Sequence, residues 1–178
     1  MLRDSGYSEV HNRLALAALE PEATLVFAQS GAEERAQAPV WAEALAQRPE
    51  RCVLIVQQRD RDIDVRTREG TASVELTDIE QLRNVLGQDT AYIDVTGLAH
   101  HVWAPLMKVA LASCSAVRLI YFEPERYREH PTPSSTAQFD LSSGFRGVGP
   151  LPGFANLAGP PPESKTLFVP FLGFEGPR

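Results

Sequence analysis

The sequence predicts an α/β protein with a Rossmann-like three-layer fold around a mainly parallel sheet. Short apolar runs without polar alternation recur along the chain, as expected of strands buried on both faces. Between them lie segments with apolar residues at helical spacing, the order that crossovers between parallel strands require. At 178 residues, 43% of them hydrophobic and 22% charged, the chain has the size and composition of a single globular domain, 1–178.

Val10, Leu14, Ala17 and Ala18 recur at helical spacing over 8–19, and Pro21 supplies a stop, so an amphipathic N-terminal helix is predicted. A β-prone run follows at 24–28. After a polar turn, a second helix carries Val40, Trp41, Ala44 and Leu45 and ends before Pro49. The apolar run 52–56 then closes a β-α-β unit. Residues 63–76 alternate around Arg68, Glu69 and Gly70, which reads as a small hairpin or as a strand-turn element at a sheet edge. Thr77 and Glu80 fit a capping box opening a helix over 78–86, closed by Gly87. Further buried strands are expected at 91–95 and 117–122, joined by a helix within 98–112. Pro105 is placed in that helix's first turn, because further in it would remove the hydrogen bond to the His101 carbonyl. A long loop from Thr96 to about Val102 is the consequence.

From 123 to 165 the composition shifts to Pro, Gly and Ser, which predicts a long Gly/Pro-rich loop before the last strand at 166–172. Phe139, Leu141, Phe145, Val148, Leu151 and Phe154 are too apolar for a free linker, so its middle is expected to pack on the domain while 131–136 and 159–163 move. Residues 25–35 and 167–178 share a loose layout of apolar strand, glycine-containing turn, Glu and Arg, through repetition or chance. A helix follows the first copy only. The natural chain is therefore expected to continue beyond Arg178, or to end on a strand edge covered by a second copy or a partner subunit.

A net charge of -6 disfavours binding to duplex nucleic acid. No stretch approaches the roughly 18 apolar residues of a membrane span and no secretory leader is evident, so a soluble, cytoplasmic protein is expected. Two cysteines, Cys52 and Cys114, supply neither a disulfide framework nor a zinc site, and they read as buried small hydrophobes. No metal-ligand spacing, Gly-x-Gly-x-x-Gly fingerprint or P-loop occurs in the expected loops, so no cofactor or metal is predicted.

Ligands of open parallel sheets bind outside the carboxyl ends of the strands. After the first strand, Ser30 and Gly31 can seat an anion; alternatively Ser30 caps the helix and Glu33 completes a capping box. Asp94 lies in an apolar strand, where a carboxylate is costly unless donors such as those of Thr96 and Gly97 satisfy it. Thr96 and Gly97 either face a phosphate or ribose, or belong to a turn that Asp94 merely fixes. His100 and His101 are candidate donors or acid-base groups, and adjacent histidines diverge, so one at most faces the site. Glu123, held by Pro124, and Tyr127 follow the fourth strand, while Arg146 sits among glycines where it can reach a phosphate. For Glu123 a salt bridge to Arg126 or Arg128 is the plainer reading.

The β-α-β start with Ser30 and Gly31, together with Asp94-Val95-Thr96-Gly97 after a later strand, resembles the Rossmann-like sensor domains of bacterial antiviral defence, the CARF and SAVED group. The resemblance runs through Phe122 and departs from the commoner pattern at Leu98 and Ala99. It implies a nucleotide or cyclic-oligonucleotide ligand bound by Ser30, Gly31, Thr96 and Gly97, usually across a homodimer. The tail motifs around 123–127, 144–154 and 171–178 resemble uncharacterised bacterial proteins. The leading expectation is a nucleotide-sensing module of a defence or stress system. An enzyme acting on a nucleotide or ribosyl substrate through Glu123 or a histidine, and a protein-interaction scaffold, are the alternatives.

Overall fold

Four of the apolar runs become the parallel strands of one sheet. The structure is a computed structural model that describes residues 14–29, 37–123, 129–134, 137–139, 151–154, 163 and 165, with 129–134 and 137–139 described as backbone only. In chain order the elements are β1 (Thr24–Ala28), α1 (Pro39–Gln47), β2 (Cys52–Gln58), β3 (Asp62–Thr67), β4 (Gly70–Glu75), α2 (Ile79–Leu86), β5 (Thr90–Asp94), α3 (His100–Ser113) and β6 (Ala116–Ile120). The strand order is β4-β3-β2-β1-β5-β6. β1 is parallel to β2 and to β5, and β5 is parallel to β6, whereas β3 and β4 run antiparallel. The sheet is thus mixed, mostly parallel, because the hairpin at 63–76 extends its edge.

Period-two alternation sends successive side chains to opposite faces. Leu25, Phe27, Cys52, Leu54 and Tyr92 cluster with Val40, Trp41 and Ala44 of α1 and with Leu16 and Leu19. Val26, Val53, Ile55, Ala91 and Ile93 cluster instead with residues of α2 and α3, among them Leu82, Leu86, Val102 and Leu106. Continuous apolar runs are needed because both sides of the central strands are covered. Burying a side chain of the size of Leu106 contributes about 1.5 to 3 kcal/mol.

Several local expectations need correction. In the described part of 8–19 the backbone makes a 3-10 turn, Leu16–Ala18, rather than an α-helix; residues 1–13 lie outside the described residues. α2 is capped by Asp78, not Thr77: its carboxylate accepts from the amides of Glu80 and Gln81, both at 3.0 Å. Gly87, at φ 72°, ends it in the left-handed region. α3 already begins at His100, so Pro105 lies well inside the helix and the preceding loop is shorter than expected. The flanking turns hold, with the amides of Val102 and Trp103 both donating to the Ala99 carbonyl.

The pairing of β2 with β3 slips by one residue between Ile55 and Gln57, which makes Val56 a bulge. Within 123–165 the structure describes a second, antiparallel pair, β7 (Glu129–Ser134) with β8 (Ala137–Phe139). A turn at 151–154 reaches α3, where Lys108 donates to the Gly153 carbonyl and lies 4.8 Å from the Phe154 ring centroid. The last-strand run 166–172 and the terminal 173–178 lie outside the described residues. Among the described residues no helix is long and apolar enough to cross a membrane.

Candidate functional site

From β1 the chain builds outward on one side to β4, then returns to lay β5 and β6 on the other. The strand order therefore reverses between β1 and β5, the position where open α/β sheets form a crevice at their carboxyl ends. Asp94, the last residue of β5, stands there and is completely buried. Its Oδ2 accepts from the Trp41 indole Nε1 at 2.7 Å and its Oδ1 from the Thr96 amide at 2.9 Å. Charged hydrogen bonds of this kind contribute about 1.5 to 3 kcal/mol each when the acceptor is ionised.

Trp41 is held in turn by aromatic contacts. It stacks on Phe27 at 4.8 Å between centroids and meets Phe122 edge-on at 6.0 Å. The Phe122 amide donates to Thr96 Oγ1 at 2.9 Å, so the ends of β5 and β6 are tied through the threonine side chain. Thr96 thus serves Asp94 through its amide, while its hydroxyl oxygen accepts from Phe122 and keeps its own proton to donate.

The rest of the loop is fixed from the neighbouring strand. Gln58, at the end of β2, donates from Nε2 to the Gly97 carbonyl at 2.9 Å, and its Oε1 accepts from the Ala99 amide at 2.8 Å. His101 Nε2 lies 3.1 Å from the Arg59 carbonyl, a contact that makes this nitrogen the donor. His100 is exposed and tilts against Trp103 at 5.7 Å. The two histidines diverge as adjacent residues should. Arg59 itself bonds to Asp62 and, at 2.6 Å, to Asp64 Oδ2. The Arg59 guanidinium holds the Asp64 carboxyl below its ordinary range, outweighing the opposing effect of burial.

Of the ten candidates, the structure brings Asp94, Thr96, Gly97, His100 and Glu123 to the same end of the sheet. Glu123 is exposed and follows Phe122 directly. Ser30, Gly31, Glu33, Tyr127 and Arg146 lie outside the described residues. The N-cap of α1 is Ala38, which makes no side-chain cap hydrogen bond. Trp41 and Gln58 were missed by sequence reasoning. The signal for Trp41 was the buried carboxylate itself, which demands a donor from whatever packs above it; Gln57-Gln58 ending an apolar strand was the signal for the other.

A groove also opens at the opposite end of the sheet. A groove of about 730 Å³ at the amino ends of β1 and β2 is bordered by Arg51, Arg68, Glu69 and Asn84. Cys52 lines it, yet burial, reinforced by Glu50, pushes its thiol up to about 11, and burial likewise raises Cys114. Neither thiol is a thiolate nucleophile at neutral pH. Among the described residues no group of three or more His, Cys, Asp or Glu is arranged to hold a metal. Comparison with protein families, with curated proteins and with solved structures finds no match for this chain.

Proposed function

We propose that the chain is a Rossmann-like, nucleotide-sensing domain of a bacterial defence or stress system, cytoplasmic and homodimeric, that binds its ligand at the carboxyl ends of the parallel strands. The observation that supports this most is the loop after β5, which stands where the strand order reverses and is anchored from beneath by buried Asp94. Thr96 has a hydroxyl proton to donate, and an anionic phosphate oxygen is its complement. Gly97, with no Cβ, permits close approach of such a group.

The test is a thermal-shift and calorimetric screen of cyclic and linear oligonucleotides, with analysis of products. Stabilisation without turnover is expected. Thr96→Val should weaken binding by about 1.5 to 3 kcal/mol, the value of one bond to a charged group. Gly97→Leu should abolish it, and His100→Ala should leave it intact. Normal binding by the first two variants, with loss of turnover in a histidine variant, would replace this reading with an enzyme. A screen without any binder would remove it.

A further inference from the structure

We infer that Gln58 is the positioning residue of the 96–99 loop and that the Val56 bulge exists to aim it. This rests on the ligand-site reading above and deepens it. Up to the bulge, β2 alternates regularly: Cys52, Leu54 and Val56 pack on the α1 side, Val53 and Ile55 on the side of α2 and α3. Continued without interruption, that alternation would turn Gln58 toward α1, away from the loop that leads into α3. The bulge inserts one residue and reverses the phase. Gln57 now stands opposite Asp64, while Gln58 stands opposite Ile63, a residue of the α2 and α3 cluster. Cross-strand partners share a face, so Gln58 is delivered to the α3 side.

There its planar amide matches the loop at two points. One group donates to Gly97 and the other accepts from Ala99, which demands both halves of a carboxamide at glutamine's length. The Ala99 carbonyl meanwhile accepts the first amides of α3, so fixing Ala99 also fixes where the helix starts. Gln57, one residue earlier, serves a different purpose: its Oε1 accepts from Arg59 at 2.9 Å. A loop held at both Asp94 and Gln58 presents Thr96 and Gly97 in one conformation before any ligand arrives, which lowers the ordering cost of binding.

The full chain is compared as wild type, Gln58→Leu, Gln58→Glu and Gln57→Leu. Amide hydrogen exchange is read at Ala99 and its neighbours, and calorimetric affinity is read with cyclic tetra-adenylate as probe. At roughly fivefold per lost bond, Gln58→Leu should speed exchange at Ala99 about 25-fold and weaken probe binding by a similar factor. Gln58→Glu keeps the acceptor but not the donor, so Ala99 should stay protected while affinity falls. Gln57→Leu should change neither. The inference is overturned if Gln58→Leu leaves Ala99 exchange unchanged, if Gln57→Leu loosens the loop equally, or if the loop loosens with no change in a measured affinity. Failure of the wild type to bind the probe counts against the ligand reading, while the exchange contrast still decides whether Gln58 sets the loop.

Discussion

The two ends of the parallel strands are built on different principles. At the carboxyl ends, hydrogen bonds to Asp94, Thr96 and Gln58 close on one another around a short loop. At the amino ends the charged groups stand on the surface: Arg51 pairs with Glu22 and, at 3.7 Å, with Asp89, both of them largely exposed. A groove of about 730 Å³ opens at this second end. Open space alone does not mark a site, and converging chemistry is the better guide. A fixed site needs groups whose geometry is over-determined, whereas exposed ion pairs are worth only about 0 to 1 kcal/mol and are screened by salt.

The largest expected effect tests the rigid end. Asp94→Ala leaves the Trp41 indole and the Thr96 amide without their buried acceptor, and should cost about 3 kcal/mol in urea denaturation. A loss below about 1 kcal/mol would place the anchoring elsewhere and erase the contrast.

A comparable effect sharpens the account of the amino end. The folded Cys52 thiol is raised to about 11 from the ordinary 9.0, so the folded state holds its proton through that window and the unfolded state does not. Its stabilising contribution is full below pH 9 and lost as pH rises toward 11, about 3 kcal/mol in all. Comparing the alkaline denaturation slopes of wild type and Cys52→Ala isolates it from lysines and tyrosines. Equal slopes would mean that the groove wall is open to water at this residue. The smallest effect is expected at Arg68, which borders the groove: Arg68→Ala should change stability by no more than about 0.5 kcal/mol.

The central strands were legible because burial on both faces leaves an uninterrupted apolar signature, as at 24–28 and 52–56. Gly87 was legible as a helix stop because its backbone conformation excludes most other residues. Asp94 stood out because a carboxylate in such a run must be compensated. What compensates it was not legible: Trp41 lies 53 positions away, and only packing of α1 onto β1 and β5 brings its indole there. The Val56 bulge was hidden for a related reason. Periodicity reports which way a side chain should point, and a single inserted residue reverses that without altering composition. The start of α3 was misjudged because local proline geometry was weighed without the tertiary contacts of Val102, Pro105 and Leu106, all of which are buried.

The chain carries two indoles, and the sheet separates them. Trp41 is buried among Phe27 and Phe122 on one face, whereas Trp103 is partly buried against the other cluster, beside exposed His100. Their light therefore reports different events. Emission from Trp41 should sit toward the blue and shift only when α1 parts from the sheet, while Trp103 should respond to whatever displaces His100 or perturbs the first turns of α3. With each indole replaced in turn by phenylalanine, one optical trace follows the integrity of the domain and the other follows the surface next to the β5 loop, without any attached dye.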